Sequence, residues 1–228
     1  MRIRDISLPA WKKITMKKIL IATFALLTAL VMGLGATAIA VSPARNPVSE
    51  EVEASIKEGE SALEKNDSAP VEKSVESITA IGDSVMLGAA GALQDEIDGI
   101  TVDAKESRQV RAAKEIAADM KKNGTLGDTV IIALGTNGTF NQATGQALLD
   151  EIGHDRHIYW VLTYGKDLSW MQDVNATIND LAENNSNVRL IDWPAAATAN
   201  PDWLYGDGIH LKPTGQKGYA KMIRDAVL

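Results

Sequence analysis

The sequence contains no cysteine, and aromatic residues make up only 5% of its 228 positions. Without Cys there can be no disulfide, no thiolate zinc site and no Cys nucleophile. Histidine is also scarce, at three residues. A net basic balance is confined to the start of the chain. Residues 1–18 carry Arg2, Arg4, Lys12, Lys13, Lys17 and Lys18 against Asp5, a balance of +5, while the whole chain has a net charge of −7. The remainder is therefore −7 − 5 = −12. An acidic body lacks the basic face that nucleic-acid binding requires, so no nucleic-acid partner is expected. With 45% hydrophobic residues, most of the chain should nevertheless fold, and its length suits one ordinary domain with appendages.

Long apolar runs are absent except for one. Residues 19–41 form an uncharged apolar stretch of 23 residues, long enough to span roughly 30 Å of hydrocarbon. The basic segment 1–18 precedes it, and no basic residue follows until Arg45. The positive-inside bias places that segment in the cytoplasm and the rest of the chain outside. The expectation is a single-pass membrane protein with an extracellular domain. Ala38-Ile39-Ala40 fits a small-x-small cleavage site, so a signal peptide cleaved after Ala40, giving a secreted product, stays open. Residues 42–77 hold nine acids, four bases and three Pro with no sustained apolar stripe. This reads as an acidic, disordered linker, with a short helix around Glu50–Lys65 allowed by its Glu, Ala and Lys content.

Residues 78–228 read as one domain. Short β-branched or apolar runs bounded by Gly, Asp or Asn predict strands at Ile78–Ile81, Ile100–Ala104, Thr129–Leu134, His157–Leu162 and Val188–Asp192. Helices are predicted between them at Ser84–Ile97, Gln109–Asn123, Gln142–Ile152, Asp173–Asn184 and Thr214–Val227. Alternation of this kind implies right-handed crossovers and a three-layer α/β/α sandwich with about five parallel strands. A site in such a sheet lies beyond the carboxyl ends of the strands.

Three short motifs fall there. Gly82-Asp83-Ser84 follows the first strand, where a Ser hydroxyl would stand exposed at a strand-to-helix turn. Taken alone it also reads as a helix N-cap. Gly135-Thr136-Asn137-Gly138 follows the third strand. An Asn amide there could donate to a developing oxyanion, or the segment could be a plain turn. Asp207-Gly208-Ile209-His210 precedes the last helix. Its spacing lets Asp207 reach one ring nitrogen of His210 while the other faces a nucleophile, unless the loop is merely polar. His154 and His157 flank a strand start and read as surface residues.

In this order, Ser…Asn…Asp-x-x-His resembles the SGNH (GDSL-like) hydrolase superfamily over residues 78–228, which implies a flavodoxin-like sandwich. Together with Asp103-Ala104-Lys105-Glu106-Ser107-Arg108-Gln109, the motifs resemble the extracellular SGNH domain of peptidoglycan O-acetyltransferases. There the domain follows a multi-helix membrane acyltransferase and passes acetyl to a muramoyl 6-hydroxyl. The resemblance implies Ser84, Asp207 and His210 as catalytic residues. It implies an oxyanion hole from the Ser84 N–H, the Asn137 side chain and the Ser107 N–H. It also implies an acyl donor and a cell-wall glycan acceptor as partners, and no metal or other cofactor. The tryptophans Trp160, Trp170, Trp193 and Trp203 are similar too, and aromatic rings can stack on sugars.

The sequence departs from the family in two ways. The family carries Gly where this chain has Ser107, and a Cβ there could obstruct a Gly-only conformation. The multi-helix membrane part is missing, which leaves a fragment, a split system with a membrane acyltransferase partner, or a stand-alone enzyme. Beside O-acetyl transfer stand an esterase using water as acceptor and a non-catalytic wall-binding module.

Overall fold

The computed structural model describes residues 47–66 and 77–228. The basic segment, the apolar run 19–41 and the Ala38–Ala40 site lie outside them. Among the described residues, no helix is long and apolar enough to cross a membrane.

Five strands form one parallel sheet: β1 (Ile78–Gly82), β2 (Thr101–Ala104), β3 (Thr129–Ala133), β4 (His157–Val161) and β5 (Val188–Ile191). Their spatial order is β2-β1-β3-β4-β5. Central strands β1 and β3 are buried along their whole length. That agrees with unbroken apolar runs such as Thr129-Val-Ile-Ile-Ala133, which a sheet covered on both faces requires. Alternate residues feed two cores. Ala80, Ile131 and Ile191 face one with Leu87, Leu93, Trp193 and Ile223. Ile81, Val130, Ile132, Ile158 and Trp160 face the other with Leu148, Val174 and Ile178. Each buried aliphatic side chain contributes roughly 1.5–3 kcal/mol.

The helices on the first face are α1 (Pro47–Asn66), α2 (Ser84–Gly88), α3 (Ala90–Glu96), α7 (Trp193–Ala199) and α8 (Pro213–Val227). Those on the second are α4 (Val110–Asn123), α5 (Gln142–Ile152) and α6 (Met171–Asn184). The single helix predicted at 84–97 is two, broken at Ala89, whose N–H turns back to the Met86 carbonyl. Helix α7 escapes sequence reading because Trp-Pro-Ala-Ala-Ala lacks helical apolar spacing. It starts at Asp192, whose side chain accepts from the Ala195 N–H at 3.0 Å, with Pro in its first turn.

The linker needs a correction. Over 47–66 it is not a disordered tether but a 20-residue helix, which contains the helix allowed at Glu50–Lys65 and docks on the domain. Its inward stripe is Val52, Ser55, Ile56, Gly59, Ala62 and Leu63, half of it small residues that carry little hydropathy signal. Small size is what the contact demands. A Cβ on Gly59 would lie 1.9 Å from the Leu87 carbonyl oxygen, so the backbones of α1 and α2 touch. Ser55, buried, accepts a hydrogen bond from Gln216 Nε2 at 3.0 Å. Val48 rests against Gly206, in the loop that carries Asp207.

Candidate active site

The parallel order 2-1-3-4-5 reverses direction at β1, with β2 on one side and β3 on the other, and such a switch point opens a crevice at the strand carboxyl ends. Ser84 sits there as the first residue of α2. Asp83 caps this helix, its Oδ1 accepting from the Val85 N–H at 3.0 Å. The N-cap expected at this turn is thus Asp83, which leaves the Ser84 hydroxyl available for another partner.

That partner is His210. Its Nε2 lies 3.0 Å from Ser84 Oγ, across 126 residues of sequence. Its Nδ1 lies 2.6 Å from Asp207 Oδ2. The other carboxylate oxygen of Asp207 accepts from the N–H groups of Ile209 at 2.9 Å and His210 at 3.1 Å. One carboxylate therefore folds its own loop and orients the imidazole. Gly208 is needed there for two reasons. Its φ is 68°, and a Cβ would meet Lys166 Cβ at 2.6 Å. The loop is closed by Tyr205 N–H to His210 O at 2.8 Å and by the Leu204–Leu211 bridge. Partial burial pushes the Asp207 carboxyl up, but the bonds from the His210 ring and the two backbone N–H groups outweigh it, and its pKa lies below the usual value.

Ser107 and Asn137 lie on neighbouring loops after β2 and β3. Asn137 Nδ2 donates to the Arg108 carbonyl at 3.2 Å, and Gln109 Nε2 donates to the Asn137 carbonyl at 2.9 Å. Ser107 is the one non-glycine residue with positive φ among the described residues, at 59°. The left-handed backbone that the family's Gly implies is therefore present, and Ser adopts it at a cost of about 1–2 kcal/mol. An open groove of about 500 Å³, lined by Lys105, Glu106, Ser107, Arg108, Arg111 and Ile116 among others, runs beside this turn.

Two further residues hold these loops and were not singled out as site residues from sequence. The Arg108 side chain is only 8% exposed. Its guanidinium donates to Asp103 Oδ1 at 2.5 Å, to the Gly82 carbonyl at 3.2 Å and to the Asp103 carbonyl. It ties the ends of β1 and β2 together. The second is Asp83, buried directly beneath Ser84. Burial raises its pKa to about 6 against the opposing pull of the Val85 N–H, Thr136 and His210. Each has a sequence signal that could have found it: a charged residue beside a motif's central residue, just after the carboxyl end of a strand.

The tryptophans divide. Trp160 and Trp193 are core residues and cannot meet a sugar. Trp160 stacks on Phe140 at 5.6 Å, and its indole N–H donates to the Leu134 carbonyl at 3.2 Å. Trp203 is half-buried, packed on Gly215 and Gly218 of α8. Trp170, also half-buried, donates to the Gly135 carbonyl at 3.3 Å, beside the Asn137 loop.

No protein-family model matches the chain. It is 36% identical over 150 residues to a putative peptidoglycan O-acetyltransferase, YrhL, of Bacillus subtilis, covering 66% of this chain and 23% of that protein. It is 34% identical over 160 residues to the peptidoglycan O-acetyltransferase OatA of Listeria monocytogenes, covering 70% and 25%. The chain thus spans about a quarter of the length of these relatives. Among solved structures it resembles the C-terminal catalytic domain of Streptococcus pneumoniae OatA, determined with a methylsulfonyl adduct. The two share 28% identity and a TM-score of 0.62 over 67% of this chain and 92% of that one. A GDSL-family lipolytic protein of Veillonella parvula, at 13% identity and TM-score 0.55 over 66% and 97%, shares the fold. Over its matched residues the chain is a homologue of peptidoglycan O-acetyltransferases, and it shares its fold with their C-terminal catalytic domain and with a GDSL-family protein.

Proposed function

We propose that the chain is an extracytoplasmic serine O-acyltransferase that moves an acetyl group onto peptidoglycan sugar hydroxyls. The observation that carries this reading is the bonded series Ser84–His210–Asp207 in a relative of peptidoglycan O-acetyltransferases. His210 Nε2 takes the proton of Ser84 Oγ as that oxygen attacks the acyl carbonyl. The resulting oxyanion is held by the Ser84 N–H, the Asn137 side chain and the Ser107 N–H. Collapse expels the donor's leaving group, which takes the proton from His210, and leaves acetyl-Ser84. A sugar hydroxyl lying along the groove beside Ser107 then attacks this ester. His210 accepts the hydroxyl proton and returns it to Ser84 Oγ. Asp207 holds the imidazole and stabilises its charged form throughout. Residues 19–41 would anchor this chemistry at the membrane, where a membrane acyltransferase could supply the donor.

The test uses the full chain in detergent, an activated acetyl ester and muropeptide or chito-oligosaccharide acceptors. Free acetate and acetylated sugar are followed together. The expected result is acetylated oligomer, with a sulfonyl fluoride labelling Ser84 and abolishing turnover. Acetate release unaffected by any sugar would identify an esterase instead. Absence of sulfonyl labelling and of all turnover would leave a wall-binding module.

A further inference from the structure

Two buried side-chain atoms near Ser84 have no hydrogen-bond partner: Asp83 Oδ2 and Trp193 Nε1. Buried groups of this kind are costly, at roughly 1–3 kcal/mol for a neutral donor and more for a charged acceptor. The two residues are far apart in sequence, yet both line one cavity beneath the carboxyl ends of β1, β3 and β4. The cavity volume is about 10 Å³. That is the lower limit for one water molecule, roughly 10–15 Å³, and too small for any other ligand. The hydroxyl-bearing residues Thr136, Thr163 and Tyr219 line it too. Thr136 approaches the carboxyl closely enough to favour its charged form, but makes no well-formed bond to Oδ2.

We propose that this cavity is a single-water binding site in which one water accepts from Trp193 Nε1–H and donates to Asp83 Oδ2. The two orphaned groups are complementary. The indole can only donate and the ionised carboxyl can only accept, and since neither bonds the other directly, a water between them would accept from the first and donate to the second. The indole is also fixed in place. Tyr219 meets it edge-on at 5.0 Å and Trp203 stacks on it at 6.3 Å, and these two contacts hold the ring. Asp83 is fixed by its cap on Val85. The bridged pair links α7 to the turn that carries Ser84. The site is independent of which acyl acceptor the protein uses, and of whether it is an enzyme.

The test is a crystal structure of the full chain at about 1.5 Å, joined to a double-mutant cycle on Asp83→Asn and Trp193→Phe. Asp83→Asn keeps the shape of the side chain, while Trp193→Phe removes the N–H together with part of the buried ring. A water within about 3.2 Å of both atoms is the expected density. The unfolding equilibrium constants, measured by urea denaturation at pH 7.5, should be non-additive by about threefold or more, because both changes act on one water. An empty cavity would overturn the proposal. So would additive effects of the two substitutions. Should either variant fail to fold, a water-to-indole magnetisation transfer in the wild type decides the matter, with a long-lived water at Trp193 expected and none overturning it.

Discussion

Asp207 and His210 stand three residues apart, and the bonds that orient them stay within one loop. Ser107 and Asn137 stand on different loops, and what joins them is longer in range. Asn137 is bound to the Arg108 carbonyl, and Arg108 in turn to the ends of β1 and β2. The first arm of the site is therefore a local structure that any scaffold with a strand end opposite could carry. The second exists only because two crossovers bring the ends of β2 and β3 to either side of β1. Strain follows the same division. The local arm uses Gly at its left-handed position, at φ 68°, while the long-range arm places Ser there, at φ 59°.

The most severe way to break the first arm is Ser84→Ala or His210→Ala. Either should cut acetyl transfer by about 10⁴-fold or more. Ser84→Ala should leave the melting temperature nearly unchanged, which calorimetry beside a turnover assay will show. On the proposed mechanism the second arm should be more forgiving, because several donors would share the oxyanion. Asn137→Ala is expected to lower kcat by about 10²–10³-fold with little change in KM. A loss as deep as that of Ser84→Ala would mean that the Asn137 bond to the Arg108 carbonyl is needed to shape the site as a whole, and the two arms would not be separable.

A third measurement separates the two carboxylates by pH. The Asp83 pKa of about 6 lies above its ordinary value of 3.8. The folded chain therefore holds this proton more tightly than the unfolded one. The stability it contributes is full below about pH 4 and is lost as pH rises through about 6, by up to roughly 3 kcal/mol. Asp207 runs the other way, because its pKa is lowered. Its contribution is present above the ordinary carboxylate value and is lost as pH falls through its folded-state value. Asp83→Asn should flatten the decline in stability between pH 4 and 7, and Asp207→Asn should flatten only the acid side. Urea titrations across pH will distinguish them.

The smallest effect is expected at Ser107→Gly. Relief of the left-handed backbone is offset by the extra freedom of Gly in the unfolded chain, leaving a change within about 1 kcal/mol. Turnover should stay within about twofold, since the backbone N–H is retained. A large loss of turnover would show that the Ser107 side chain, not its N–H, is what the turn supplies.

The legibility of the sequence follows the range of the interactions. Strands β1 and β3 could be read because a sheet buried on both faces demands unbroken apolar runs. Helix α5 covers the predicted Gln142–Ile152, and the structure shows Asn141 capping it and Leu148, Leu149 and Ile152 buried along it. The docking of α1 was hidden because its contact stripe is built on Ser55, Gly59 and Ala62, residues selected for size rather than hydropathy. Trp193 could not be assigned from the sequence, since an indole may face a sugar or a core, and only its neighbours Tyr219 and Trp203 settle which.

Local chemistry was thus determined by the chain itself: parallel strands from apolar runs, the Ser84 turn from its position after one of them, and the Asp207–His210 pairing from a three-residue spacing. Tertiary structure alone decided that His210 reaches Ser84 across 126 residues, that Arg108 rather than another cation ties the strand ends, and that Asp83 and Trp193 share one cavity. The physical reason is the same in each case. A hydrogen bond between near neighbours depends on backbone geometry that a few residues specify. One between distant residues depends on how every intervening strand and helix packs.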